Sequence, residues 1–135
     1  MKKKRILIVD DERSIVNSLK ELLELEGYEV DGAGDGVECI YKVKRQAYDT
    51  IVMGYKMPKL NGARTLERLN IFAPLIPVIM TSSILSSEEG EEFVDMGALS
   101  HVQKPFDMAT LLDEIENALE EYERRLGLLG DNEKM

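Results

Sequence analysis

The sequence has no tryptophan, four prolines and a single cysteine, Cys39, among its 135 residues. One cysteine cannot form an internal disulfide, and this scarcity fits the reducing conditions of the cytoplasm. The first residues carry a basic run, but acidic residues follow it after only four apolar positions. This stretch is too short for a signal peptide or a membrane span. We therefore expect a soluble cytoplasmic protein without a membrane partner.

Basic residues are nearly missing from one long segment of the chain. Between Ser86 and Glu123 there are 12 acidic residues and one basic residue, Lys104, while the whole chain has a net charge of −9. Nucleic-acid binding needs a basic patch, so this distribution argues against a nucleic-acid partner. Two interpretations stay open for the acidic segment: a solvated helix surface that maintains solubility, or a docking face for a basic protein.

Short apolar runs alternate with amphipathic stretches along the chain. This alternation predicts an α/β fold with a doubly wound, five-stranded parallel sheet and five helices. We predict one domain over residues 1–125 and a flexible tail over 126–135. The predicted strands are 5–9, 28–33, 48–53, 76–81 and 99–103, and the predicted helices are 11–26, 36–45, 63–72, 88–96 and 107 to about 125.

The second predicted helix carries several apolar residues at helical spacing. Val37, Ile40, Tyr41 and Val43 are predicted to lie on or near its apolar side. Cys39 in the same helix is predicted to be a small buried residue rather than a reactive thiol.

Polar side chains follow several predicted strands, at the edge where doubly wound sheets bind ligands. Strand one ends in Asp10, Asp11 and Glu12, and strand five ends in Lys104. Adjacent carboxylates suit a hard cation such as Mg²⁺, and a lysine suits a phosphoryl group or another anion. An alternative role for the aspartates is to cap the first turn of helix one. Strand three ends at Gly54, which brings no side chain to this edge.

Together, these segments resemble the receiver domain of bacterial response regulators over about residues 4–122. The matching stretches are ILIVDDE, DGVECI, YDTIVMGYKMPKLNG, PVIMTSS and MGALSHVQKPF, in that order and at matching spacing. The resemblance implies a flavodoxin-like fold with strand order 2-1-3-4-5. It also implies a response regulator in a two-component phosphorelay, which switches on phosphorylation and is not itself an enzyme.

The resemblance assigns roles to three side chains near the ends of strands four and five. Ser82 and Lys104 correspond to the residues that contact the phosphoryl oxygens, and His101 occupies the position of the aromatic switch. The bond between Lys104 and Pro105 is expected to be cis, because in the family this bond directs the lysine into the pocket.

The acceptor aspartate of the family corresponds to Gly54, which supplies no carboxylate nucleophile for phosphoryl transfer. Asp49 cannot replace it, since it lies about 16 Å away along an extended strand. The resemblance places Mg²⁺ ligands at Asp10, Asp11 and the backbone carbonyl of Lys56. Without the acceptor carboxylate we expect this site to be weak or absent, and either aspartate could pair with the opposite lysine instead.

These features predict a stand-alone pseudo-receiver that binds a protein partner, either a histidine kinase or a downstream target. The expected contact face is formed by helix four, strand five and helix five, which include most of the acidic segment. Two alternatives stay open: a phosphorylatable receiver silenced by an aspartate-to-glycine change at position 54, or a receiver cut from a longer regulator.

Two other function classes fit the sequence poorly. The stretch GAGDG at 32–36 lacks the G-x-G-x-x-G spacing of dinucleotide sites and follows the second strand. Hydrolysis would need a positioned base near Ser82 or Ser83, and the only histidine, His101, is predicted to be a switch or surface residue.

Overall fold

The computed structural model describes residues 2–57, 59–83 and 87–134, and for 87–90 and 128–134 it describes the backbone alone. Pro58, in the loop after predicted strand three, therefore lies outside the described residues. The same holds for the side chain of Glu88, at the predicted start of helix four.

Five strands and five helices alternate within the described residues. The strands are β1 (Arg5–Val9), β2 (Glu29–Ala33), β3 (Thr50–Gly54), β4 (Val78–Ser82) and β5 (Ser100–Gln103). The helices are α1 (Arg13–Leu25), α2 (Gly36–Arg45), α3 (Gly62–Phe72), α4 (Ser87–Asp95) and α5 (Met108–Lys134).

The strands form one parallel sheet in the order β2-β1-β3-β4-β5, which confirms the predicted fold class and strand order. Successive side chains of β1 enter opposite layers: Leu7 and Val9 pack with α2, α3 and α4, whereas Ile6 and Ile8 pack with α1 and α5. Because helices cover both faces, the central strands are apolar at almost every position.

The exposure of α2 differs from the sequence prediction. Val37 and Tyr41, predicted on or near the apolar side, are 53% and 58% exposed. The buried side of this helix instead runs through Gly36 and Cys39, while Val43 packs against the same core. A helix that packs beside the edge strand of a sheet buries only a narrow stripe, which leaves neighbouring positions in solvent.

Two helices end just before glycines, and α5 extends past its predicted end. Gly27 and Gly97 follow α1 and α4 with φ values of 99° and 107°, as expected of helix stops. The predicted end of the last helix near Arg125 was wrong, because α5 continues through Lys134 and takes in most of the predicted tail. The Arg125 side chain pairs with Glu121 one turn earlier and donates to the Leu75 carbonyl, which supports helix at this point.

Candidate functional site

The strand ends enclose a polar cavity at the carboxyl edge of the sheet. Its volume is about 240 Å³, and it lies where β3 and β4 end, beside the loops that follow β1 and β5. The structure therefore brings together residues from four separate parts of the chain. The lining residues are Asp11, Glu12, Gly54, Tyr55, Lys56, Thr81, Ser82, Ser83 and Lys104.

Asp10 is buried beside this cavity, and both of its carboxylate oxygens have partners. Oδ2 accepts a hydrogen bond from the Lys104 ammonium at 2.6 Å, and the two groups form an ion pair. Oδ1 accepts from the backbone N–H of Glu12 at 2.9 Å. The Asp10 side chain is therefore fixed toward β5, while Asp11 next to it is exposed.

The capping role considered for the aspartates is not observed. The N-cap of α1 is Glu12, and its side chain makes no capping hydrogen bond. The hydrogen bond from Glu12 to Asp10 lies just before the helix and orders the turn that leaves β1. Asp10 therefore serves the sheet edge rather than the helix.

Lys104 reaches Asp10 from the turn that follows β5. Its backbone N–H donates to the Ser82 carbonyl at 2.8 Å, which extends the pairing of β4 and β5 by one residue. The peptide bond between Lys104 and Pro105 is cis, and this confirms the prediction made from the sequence.

Gly54 ends β3 directly opposite the Asp10 carboxylate. A Cβ atom placed on Gly54 would lie 3.3 Å from Oδ2 of Asp10 and 3.6 Å from the carbonyl oxygen of Val9. The first distance is shorter than most Cβ contacts in proteins, and the second is an ordinary van der Waals contact. A small side chain at position 54 would thus enter the cavity after a shift of a few tenths of an ångström by Asp10.

The donors at this edge are of the types that suit Mg²⁺. Carboxylate and carbonyl oxygens are the ligands that Mg²⁺ prefers, and Asp10, Asp11 and the Lys56 carbonyl are the predicted set. Asp10 is already neutralised by Lys104, however, and Asp11 is exposed. Among the side chains that the structure describes, in residues 2–57, 59–83 and 91–127, no three His, Cys, Asp or Glu are arranged to hold a metal ion.

His101 is separate from the strand-end cavity. It is an exposed residue of β5 and lines a shallow depression with Glu91, Val94 and Asp95 of α4. Of the predicted site residues, Asp11, Gly54, Lys56, Ser82 and Lys104 line the cavity together, and Asp10 contacts it through Lys104. The histidine instead belongs to the acidic surface formed by α4 and β5.

Tyr55 is a cavity residue that the sequence analysis did not single out. Its backbone N–H donates to the Thr81 carbonyl at 2.9 Å, and its carbonyl accepts from Gly62 at 2.8 Å. Its ring packs on Phe93 of α4 with a centroid distance of 5.2 Å. Tyr55 therefore links the cavity loop to α4, and its position directly after a strand end was the available signal.

Two buried titratable groups lie away from the cavity. Burial raises the pKa of the Cys39 thiol from 9.0 to about 12, so the thiol stays protonated at neutral pH. Burial and a hydrogen bond to Asp31 raise the pKa of Tyr48 above its usual value. Neither group reaches the strand-end edge, and both stabilise the core beside α2.

No described helix is long and apolar enough to cross a bilayer.

Comparisons with known proteins agree with this geometry. The family model for the response regulator receiver domain matches residues 6–116. A receiver domain protein of the CheY-like type from Methanospirillum hungatei JF-1 superimposes with a TM-score of 0.85 at 33% identity. That alignment covers 91% of this chain and 98% of the other.

Two curated relatives differ in how much of their own length the match covers. Sporulation initiation phosphotransferase F of Bacillus subtilis (strain 168) is 32% identical over 122 residues, covering 90% of this chain and 95% of the relative. Response regulator MprA of Mycobacterium leprae (strain TN) is 35% identical over 111 residues, and the match spans 49% of its length. The strand-end cavity and the five strands, except for Arg5 at the start of β1, lie within the part of the sequence that the family model matches. The chain therefore belongs to the response regulator receiver-domain family of two-component systems.

Proposed function

We propose that this chain is a cytoplasmic receiver that does not accept a phosphoryl group and acts by binding a protein partner. The observation that carries the proposal is the end of β3, where Gly54 faces Asp10 and offers no carboxylate. Phosphoryl transfer to a receiver needs a carboxylate nucleophile at that point, and no backbone group can replace it. In this proposal the protein has no enzymatic activity.

The ion pair between Asp10 and Lys104 supports the same conclusion. A lysine that would otherwise stabilise a phosphoryl oxygen is neutralised by a carboxylate at 2.6 Å. A cation entering the cavity would have to displace this ammonium from a buried carboxylate. We therefore propose that Mg²⁺ binds weakly or not at all, with Asp11 and the Lys56 carbonyl as its remaining ligands.

The partner face in this proposal consists of α4, β5 and α5. Exposed carboxylates line it, including Glu91 and Asp95 beside His101. Receiver domains contact kinases or effector proteins, and an acidic face suits a partner with a basic surface. Tyr55 and Phe93 connect the cavity loop to α4, and in this proposal their contact keeps the face in one arrangement without phosphorylation.

Beryllofluoride with Mg²⁺ provides a direct test, because this phosphoryl mimic binds only where a carboxylate coordinates it. We expect no changes in the amide NMR spectrum around Gly54, Ser82 or Lys104 on titration. Shifts that saturate and spread to α4 would contradict the proposal.

A second candidate is a phosphorylatable receiver silenced by glycine at position 54. The feature that favours it is the rest of the cavity, since Asp11, Ser82 and Lys104 still line a space with room for one more carboxylate. Under this alternative, one substitution is enough to restore phosphorylation.

A further inference from the structure

The surface of α2 and α3 combines exposed apolar side chains with cations. We call it the α2–α3 patch, and its members are Val37, Tyr41, Lys44, Arg45, Ile71 and Phe72. Each of them is exposed, and Ile71 is 82% exposed. Aromatic and arginine side chains are enriched at protein interfaces. Single exposed apolar residues are common on protein surfaces, whereas a group of them marks an interaction site.

Two cation–ring contacts hold the patch together. The Arg45 guanidinium lies 5.0 Å from the centroid of the Tyr41 ring and donates to its hydroxyl at 2.9 Å. The Lys44 ammonium lies 5.3 Å from the centroid of the Phe72 ring, which joins α2 to α3. The cations are therefore held over exposed aromatic rings, and this arrangement suits the carboxylates of a partner.

The charges of the chain are divided between two regions of opposite sign. Residues 36–83, which include α2 and α3, carry seven basic and three acidic side chains. Residues 87–123, which include α4 and most of α5, carry one basic and 12 acidic side chains. In the sheet order, α2 packs at the β2 edge and α4 at the β5 edge, so the two surfaces lie toward opposite ends of one molecule.

We infer that the α2–α3 patch docks onto the acidic face of α4 and α5 in a second copy of this chain, in a head-to-tail arrangement. Lys44 and Arg45 of one copy meet Glu91 and Asp95 of the next, and the exposed Val94 supplies an apolar contact there. This inference rests on the proposed function, because it names the partner of the same α4–β5–α5 face.

The head-to-tail arrangement follows from the sign of the charges. A symmetric contact would place acidic face on acidic face or basic patch on basic patch, and like charges repel. The net charge of −9 also opposes any contact that does not align opposite regions. A heterologous contact joins two different surfaces. After each copy is added, one α2–α3 patch and one acidic face remain unoccupied at the ends of the assembly, so assembly can continue.

The test is the mass of the purified full chain in solution, measured by sedimentation velocity from about 5 to about 500 µM. At about 50 mM salt we expect the mass to rise with concentration beyond a dimer, and at about 500 mM salt we expect mostly monomer. Lys44→Glu/Arg45→Glu should raise the dissociation constant about tenfold or more. Lys2→Glu/Lys20→Glu, which changes the net charge equally at exposed sites outside the patch, should leave association in place.

A mixing experiment separates this arrangement from every symmetric one. Glu91→Gln/Asp95→Asn neutralises the contact on the acidic face, and Lys44→Glu/Arg45→Glu removes the patch, so each variant alone should lose the higher-order species. Because each variant keeps one intact surface, mixing them should produce a heterodimer that grows no further. Tyr41→Ala provides a second, uncharged disruption of the patch, and thermal melting checks that each variant is folded.

A monomer at every concentration and salt, or association that Lys44→Glu/Arg45→Glu and Tyr41→Ala leave unchanged, would overturn the inference. A mixture that forms no heterodimer would overturn it too. None of these results would change the beryllofluoride titration, so failure of self-association is distinguishable from failure of the proposed function.

Discussion

The ammonium of Lys104 lies 2.6 Å from Oδ2 of Asp10, and this ion pair joins the turn after β5 to the end of β1 across two intervening strands. Asp10 is 4% exposed, and its carboxylate oxygens accept hydrogen bonds from that ammonium and from the Glu12 N–H. A cation at this edge would use the Asp10 carboxylate and an anion would use the Lys104 ammonium, and these two groups already bind each other. The pair is therefore a structural tie, and any ligand that uses either group would have to compete with it.

Removing the lysine should be costly for stability. Lys104→Met leaves the buried Asp10 carboxylate without its counter-charge, and we expect the free energy of unfolding to fall by roughly 3 kcal/mol. The matched control is Lys59→Met, since Lys59 is 69% exposed in its pair with Asp35; we expect less than about 1 kcal/mol there. Urea unfolding measures both values, and equal losses would contradict a buried ion pair.

Alkaline pH should destabilise the fold through Cys39. Its thiol has a pKa of about 12 in the folded chain, against 9.0 for an unperturbed cysteine, so only the unfolded chain ionises between these limits. The unfolded state is then favoured as pH rises above about 9, by up to about 1.4 kcal/mol per pH unit. Tyr48, whose pKa is also raised, acts in the same direction.

Urea unfolding at several pH values between about 8 and 11 measures this slope. Cys39→Ala should flatten part of it, even though the variant is less stable at every pH. An unchanged slope in Cys39→Ala would show that the thiol is not protected by burial.

Charge reversal on the acidic face should weaken binding of a basic partner such as a cognate kinase or target. Glu92 and Glu116 are exposed on α4 and α5, and Glu92→Lys/Glu116→Lys should lower the affinity and flatten its salt dependence. Glu21→Lys on α1 is the control at an exposed carboxylate outside this face. Calorimetric titration at several salt concentrations measures both, and a loss confined to the control would place the contact on α1 instead.

The fold was predictable because the periodicity of the apolar residues changes cleanly between strands and helices. The same information placed Asp10, Gly54, Ser82 and Lys104 at one edge, since parallel strands end together. It could not select the partner of Lys104, because that choice depends on side-chain rotamers across 94 residues of sequence separation. Pairing of either aspartate with the lysine was therefore one alternative among several.

Two further features depended on tertiary packing. Val37 and Tyr41 have apolar spacing, but α2 packs beside the edge strand and buries only its Gly36 and Cys39 side. The contact between Tyr55 and Phe93 joins a loop to a helix, and helical or strand periodicity carries no information about such pairs.

Introducing a carboxylate at position 54 should make stability depend on Mg²⁺. In Gly54→Asp the new side chain crowds Asp10, because its Cβ lies 3.3 Å from Oδ2, and like charges then raise the free energy of the folded state. We expect a lower melting temperature in EDTA and recovery with Mg²⁺, by about 2.7 kcal/mol when the ion is at 100 times its dissociation constant. The original chain and the uncharged control Gly54→Asn should respond little, and an equal response of all three would place the ion elsewhere.

The measurement that tests the central claim most directly is the intact mass of the protein after incubation with Mg²⁺ and acetyl phosphate. We expect the original chain and Gly54→Asn to gain nothing, and Gly54→Asp to gain about 80 Da as one acid-stable, base-labile phosphoryl group. The gain in Gly54→Asp would show that position 54 is the acceptor position and that Lys104 can leave Asp10 to contact a phosphoryl group. A gain of the same mass by the original chain, on Asp10 or Asp11, would contradict the account.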